Sequence, residues 1–207
     1  MKKKLKYFII IFIIFLVLLI LAYKFKANTT VDSVILEATK DIKTADTIFF
    51  FQSDLRWYND SLGDSEFEMD DSGCLTTSIT SALCMEEIEV DGIDEINPKT
   101  INKLLSENNV YDSEGNMQWE PLAETLDITV VKKSADEISS SKIDKLLKKG
   151  IYPIVRVRVG GVGAIHYVLI TESHDGEYWC MDPMNRNEVL VSLSDYGNIV
   201  YAMRYIK

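Results

Sequence analysis

The apolar positions of the chain fall into three regimes. The first is an uninterrupted run, YFIIIFIIFLVLLILAY over residues 7–23, that contains no charged side chain. At about 1.5 Å of rise per residue, such a helix comes close to spanning a hydrocarbon core of ~30 Å. A cleaved signal peptide opens in the same way, but its apolar part is usually about 7–15 residues and ends at a small-residue site. AYKFKA is not such a site, so the run is expected to stay as a transmembrane anchor. Lys2, Lys3, Lys4 and Lys6 precede it and only Lys24 and Lys26 follow. That bias predicts a cytoplasmic N-terminus, a single pass through the cell membrane, and residues 24–207 outside.

Residues 24–46 are polar, with a weak helical stripe at Val31, Val34, Ile35, Ala38 and Ile42, and read as a stalk able to pack as a short helix. The second regime, within a domain expected over residues 47–207, has helical periodicity. TIFFFQSDLRWYN starts like a buried strand and runs into a polar loop. An acidic stretch, DSLGDSEFEMDDSG, then leads to the helix CLTTSITSALCMEE, with Asp71 or Ser72 as its cap and Cys74 in its first turn. Asn97 followed by Pro98 is a strong helix start for NPKTINKLLSENN. WEPLAETL predicts a short helix, DITVVKK a strand, and ISSSKIDKLLKKG an amphipathic helix stopped by Gly150.

The third regime has the period of strands. IYPIVRVRV alternates, GGVG turns, AIHYVLITES is apolar and β-branched, HDG is a tight turn, and EYWCMD and NIVYAMRYI follow as strands. Helices first and a mainly antiparallel sheet afterwards predict an α+β domain.

Charge narrows the partners. Six lysines and no acids lie in residues 1–26, so the remainder holds 16 basic against 32 acidic residues. A domain of that balance repels nucleic acid and anionic membrane surfaces and favours neutral or basic partners. No basic stretch is interleaved with aromatics, so nucleic acid is excluded as a partner. The acids from Asp60 to Asp71 lack the alternating ligands and central glycine of a calcium loop, and no cluster has zinc spacing. No cofactor is expected. Three cysteines, Cys74, Cys84 and Cys180, are too few for a disulfide scaffold. A pair such as Cys84 with Cys180 would still leave one thiol free, and a free thiol outside the cell invites a functional explanation.

Nucleophilic cysteine chemistry needs a thiolate, a base to generate it, a group that orients the base, and a donor for the oxyanion. Cys74, at a helix start, has the favourable end of the dipole, although Asp70 and Asp71 oppose a thiolate. Two histidines are available. His174, in SHDGEY, reads as a solvated loop residue, whereas His166 falls inside an apolar strand. If the hairpin turns about His174 and Asp175, His166 pairs near Asp182, whose carboxylate can hold the imidazole's tautomer. Asn185 is the alternative orienter, since an amide can do the same. Gln52 is a candidate oxyanion donor alongside the backbone N–H of Cys74. Trp57, Trp119 and Trp179 read as core or cleft-wall residues.

FFQSDLRWYNDSLG, SGCLTTSITSAL, AIHYVLI and CMDPMN together resemble the papain-like cysteine peptidases of the bacteriocin-processing branch, over about residues 48–200. The resemblance implies a papain-like fold with a cysteine-bearing helix packed on a histidine-bearing antiparallel sheet. It implies Cys74 as nucleophile, His166 as base and acid, Asp182 as orienter and Gln52 in the oxyanion hole, acting on a peptide or protein substrate. Gln52 stands 22 positions before Cys74 (74 − 52), with the acidic loop between, and no transporter segments follow the domain. A silent peptide- or wall-binding relative, and an acyl transferase or amidase using the same residues, are the alternatives.

Overall fold

The computed structural model describes residues 12–16, 32–44 and 46–207. Most of the anchor expected over residues 7–23 lies outside the described residues. Residues 12–16 are helical, and among the described residues no helix is long and apolar enough to cross a membrane.

Ser33–Lys207 pack around one core. The helices come first: α1 (Met69–Ser72), α2 (Cys74–Met85), α3 (Pro98–Glu107) and α4 (Trp119–Leu126). Strand β2 (Val130–Ser134) and helix α5 (Ser140–Leu147) lead into β3 (Ile154–Arg158), β4 (Ile165–His174), β5 (Glu177–Met181), β6 (Val191–Ser192), β7 (Ile199–Val200) and β8 (Ala202–Ile206). The larger sheet has the order β2-β8-β3-β4-β5-β6, with every neighbouring pair antiparallel. The α+β expectation holds, and so does the helix start at Asn97 and Pro98. Asn97 Oδ1 accepts from Thr100 N at 3.1 Å, with Pro98 in the first helical position.

Helix α2 lies on the sheet at β4, where Ser78 Oγ donates to the Tyr167 carbonyl at 3.4 Å. Its residues Thr76, Thr77, Ser78, Thr80 and Ser81 are all buried. Short side chains let helix and sheet approach closely, and local bonds satisfy part of the cost of burying hydroxyls. Thr80 Oγ1 donates to the Thr76 carbonyl at 2.8 Å, and Thr76 Oγ1 bonds Tyr111 Oη at 2.9 Å.

Two expected elements differ. Residues 46–51 form no strand: Phe49 and Phe50 pack against the core from a loop, which turns at once through Asp54 N to Phe51 O at 3.2 Å. Of the segment read as a helical stalk, residues 24–31 and 45 lie outside the described residues, and residues 33–42 are mainly extended instead. Val34 and Ile35 form β1, paired antiparallel with Val200 and Ile199 of β7. Farther along, Leu36 N donates to Asn198 O, Ala38 N to Gly176 O, and Ile42 bridges Ser173. Thr39 Oγ1 donates to the carboxylate of Asp144, which also accepts from Tyr178 Oη at 2.7 Å. Sheet-edge hydrogen bonds and a buried carboxylate thus outweigh a weak helical stripe, and the segment straps the domain.

Candidate active site

Glycine explains how Cys74 reaches its position. Helix α1 ends and α2 begins at Gly73, where an added Cβ would stand 2.5 Å from the Met69 carbonyl oxygen and 2.8 Å from its sulfur. Met69 is fully buried, so only glycine lets the chain pass. Asp71 and Ser72, expected as caps, belong instead to α1, and no side chain caps α2. Cys74 is the first residue of the helix, where backbone amides lack intrahelical partners and the helix dipole favours negative charge.

His166 sits on β4, opposite Val157 of β3, and is 2% exposed. Its Nε2 lies 2.6 Å from Asp182 Oδ1, and Cys74 is near enough to raise the imidazole's pKa. With Nε2 occupied by the carboxylate, Nδ1 is the nitrogen left for the sulfur. Burial pulls the imidazole's pKa down, but the bond to Asp182 and the neighbouring Cys74 sulfur outweigh it and raise it to about 9.

The register that brings His166 to Asp182 was only partly anticipated. The turn centres on Asp175 and Gly176, since His174 pairs with Glu177. A regular ladder from that turn would set Asp182 opposite Leu169 and put His166 on the other face of the sheet. A β-bulge intervenes at Thr171, between the pairs Glu172–Trp179 and Ile170–Cys180. Beyond it Leu169 faces Met181, which brings Asp182 level with Val168, two residues from His166 on the same face.

Asp182 is 9% exposed and accepts three donors. Besides His166, Met184 N donates to Oδ1 at 2.8 Å and Tyr196 Oη donates to Oδ2 at 2.6 Å. Burial would raise the carboxyl's pKa, but His166, Tyr196 and the Met184 N–H together hold it below the usual value. The phenol of Tyr196 is pushed up by burial and by the adjacent carboxylate, so it remains a donor. Tyr196 escaped the sequence reading: it lies in a short 3₁₀ turn after β6, and LSDYGN carries no pattern that announces a partner. Asn185, the alternative orienter, turns its amide to Val189 O at 3.3 Å.

Gln52 is 5% exposed, and its backbone N–H donates to Pro183 O at 2.9 Å. This bond locks it to the Asp182–Pro183 turn. The acidic stretch that separates it from Cys74 doubles back: Ser61 bridges Glu68, and Met69 N donates to Asp60 O at 3.0 Å. The Asp70 carbonyl thereby meets Gln52 and accepts one hydrogen of Nε2. Gln52 Oε1 is buried without a partner.

Cys74 is half-buried and opens on a cleft of about 900 Å³, with Tyr111, Trp119, Arg156 and Tyr167 among its walls. All three cysteines are free, so Cys84 and Cys180 are not paired. His174 lies outside the site, stacked on Trp179 at 4.7 Å and bonded to Asp175. Trp57 is buried in the core. The assembly joins a thiol at a helix start, an imidazole and a triply bonded carboxylate, a set of groups able to hand a proton from sulfur to a leaving group.

No family model matches the chain, and no curated protein matches it. Among solved structures, one from Bacillus anthracis, described as a candidate C39-like peptidase, matches with a TM-score of 0.53 at 14% identity. The match covers 81% of this chain and 98% of that one. At that identity the likeness is one of fold.

Proposed function

We propose that the chain is a cysteine peptidase whose nucleophile is Cys74. The observation that carries this reading is that one buried imidazole, His166, bonds the Asp182 carboxylate while its pKa is raised by the neighbouring Cys74. In the proposed reaction His166 takes the thiol proton through Nδ1, and the sulfur attacks the carbonyl carbon of the scissile amide. The tetrahedral oxyanion lies by the N–H of Cys74 and the second Nε2 hydrogen of Gln52, the one not given to Asp70. The imidazolium then protonates the leaving amine, the C–N bond breaks, and a thioester remains on Cys74. Water, deprotonated by His166, hydrolyses that thioester and restores the thiol. Asp182 holds the productive tautomer throughout, and Tyr196 holds Asp182.

The fold likeness to a C39-like structure supports this reading at the level of architecture. The apolar run over 7–23 and its lysine bias support a location at the outer face of a membrane. Incubating the detergent-solubilised full chain with a degenerate peptide mixture and sequencing the products tests the chemistry. New peptide termini that appear with the wild type and vanish in Cys74→Ala are expected; identical digests sink the proposal. Protease added to intact cells should remove a C-terminal tag, and its survival would count against the outward orientation.

A further inference from the structure

In a domain with twice as many acidic as basic residues, one sheet face is cationic. Lys132 of β2 pairs with Arg204 of β8, Arg204 pairs with Ile154 of β3, and Ala202 pairs with Arg156. Cross-strand partners share a face and alternate residues return to it, so Lys132, Arg204, Arg156 and Arg158 lie on the same side of the sheet. Lys132, Arg204 and Arg156 border a groove of about 370 Å³ that also takes in Lys133, Glu137 and Tyr201. Arg204 lies 5.2 Å over the Trp119 ring and Arg158 lies 5.4 Å over Tyr201.

The two lysines are already neutralised, Lys132 by Glu120 and Lys133 by Glu137, each at 2.6 Å. The arginines are not. Among the described residues, no ion pair involves Arg156, Arg158 or Arg204. Arg204 is half-buried, and its Nε is buried without a hydrogen-bond partner. Planar guanidiniums left without carboxylates, in a chain rich in carboxylates, are poised for an external one.

This groove adjoins the Cys74 cleft: Arg156 lines both, and Trp119, under Arg204, is a cleft wall. The cleft carries the opposite charge elsewhere, at Asp71 and Glu114. A peptide lying across the thiol therefore meets both the carboxylates of Asp71 and Glu114 and the guanidinium of Arg156.

The geometry points to the arginine face of β3 and β8 as a docking surface for an acidic stretch of the substrate, on one side of the bond presented to Cys74. This inference rests on the peptidase reading for its substrate and deepens it. The domain's overall charge would steer such a substrate away, so the preference is local and short-ranged.

The test uses the full chain in detergent and three dye-labelled peptides of one neutral sequence, carrying three glutamates at either end or glutamines in their place. Binding is measured on Cys74→Ala and cleavage on the wild type. One glutamate-ended peptide should bind about tenfold tighter than the glutamine peptide at low salt, and most of that gain should vanish by ~0.5 M salt. Arg156→Glu should reverse the preference in favour of a fourth peptide carrying lysines in place of the glutamates, a reversal that misfolding cannot produce. Arg158→Gln, on the same face but outside the groove, should weaken it without reversal. Equal binding of all three peptides, or a preference untouched by Arg156→Glu, overturns the inference while leaving the peptidase reading intact. Arginine-dependent binding with no cleavage of any peptide upholds the surface and sinks the peptidase reading instead. Arginine-dependent binding to vesicles of anionic lipid, with no peptide preference, overturns the inference in favour of a membrane contact.

Discussion

Tyr196 donates to Asp182 Oδ2 while His166 and the Met184 N–H share Oδ1, so both oxygens of one carboxylate are held. The phenol locks the carboxylate plane, and the carboxylate locks the imidazole. Tyr196→Phe removes only the hydroxyl and leaves the packed ring. The bond is assisted by charge, so its loss should cost about 1–2 kcal/mol of catalysis, on the order of a tenfold fall in kcat. KM should hardly move, because Tyr196 is not among the residues lining the cleft. A change confined to KM would show that Tyr196 does not act through Asp182.

The pH dependence follows from the direction of the His166 shift. Its pKa in the folded state is about 9, against about 6.5 for an unfolded histidine. The folded state binds the proton more tightly, so the stabilisation is fully present below pH 6.5 and is lost as pH rises through 9. Urea midpoints of the wild type should fall towards those of His166→Gln over that interval. A gap between the two proteins that stays constant from pH 6 to 10 would contradict the assignment.

The three thiols should separate cleanly under iodoacetamide. Burial pushes the Cys84 thiol up to about 11, and burial with nearby Asp182 and Asp195 pushes Cys180 well above its ordinary value. Neither offers appreciable thiolate at neutral pH. Cys74 should alkylate first, at least about tenfold ahead, by peptide mapping. His166→Ala should slow it. Labelling of Cys84 or Cys180 ahead of Cys74 would refute the assignment of the nucleophile.

The strap offers a test of stability with no chemistry in it. Thr39→Val keeps the shape but strands the buried Asp144 carboxylate with one donor fewer, which should cost about 1–3 kcal/mol. Thermal melts of the variant and of Thr39→Ser, which restores the hydroxyl, check this. Equal melting of all three proteins would show that the strap is not held through Asp144.

What could be read from the residues depended on how local the cause was. The start of α3 was legible because Asn97, Pro98 and Thr100 carry their own cap. The strands from β3 to β5 were legible from alternation and from the turn around Gly176. His166 and Asp182 were brought together by hairpin arithmetic, but the bulge at Thr171, which gives them a common face, left no mark in the composition. The strap was misread as a helix because its partner, β7, lies at the other end of the domain. The loop at Phe49 and Phe50 read as a strand because its aromatics are packed, and packing does not require a ladder. Tyr196 depends on a contact made only once β5 and the following turn are both in place.

The pairing of Val34 with Val200 also sets an order of events during synthesis. The strand that leaves the ribosome first in this domain must wait for a partner that leaves almost last. Until then β1 has no neighbour. Local helices can form early, but the closing contact spans nearly the whole domain and is slow to find. If residues 7–23 halt in a membrane while the rest is still being threaded through, the emerged part must be held open until its final strands arrive. The thiol would then meet its imidazole only after the whole chain has been made and moved across.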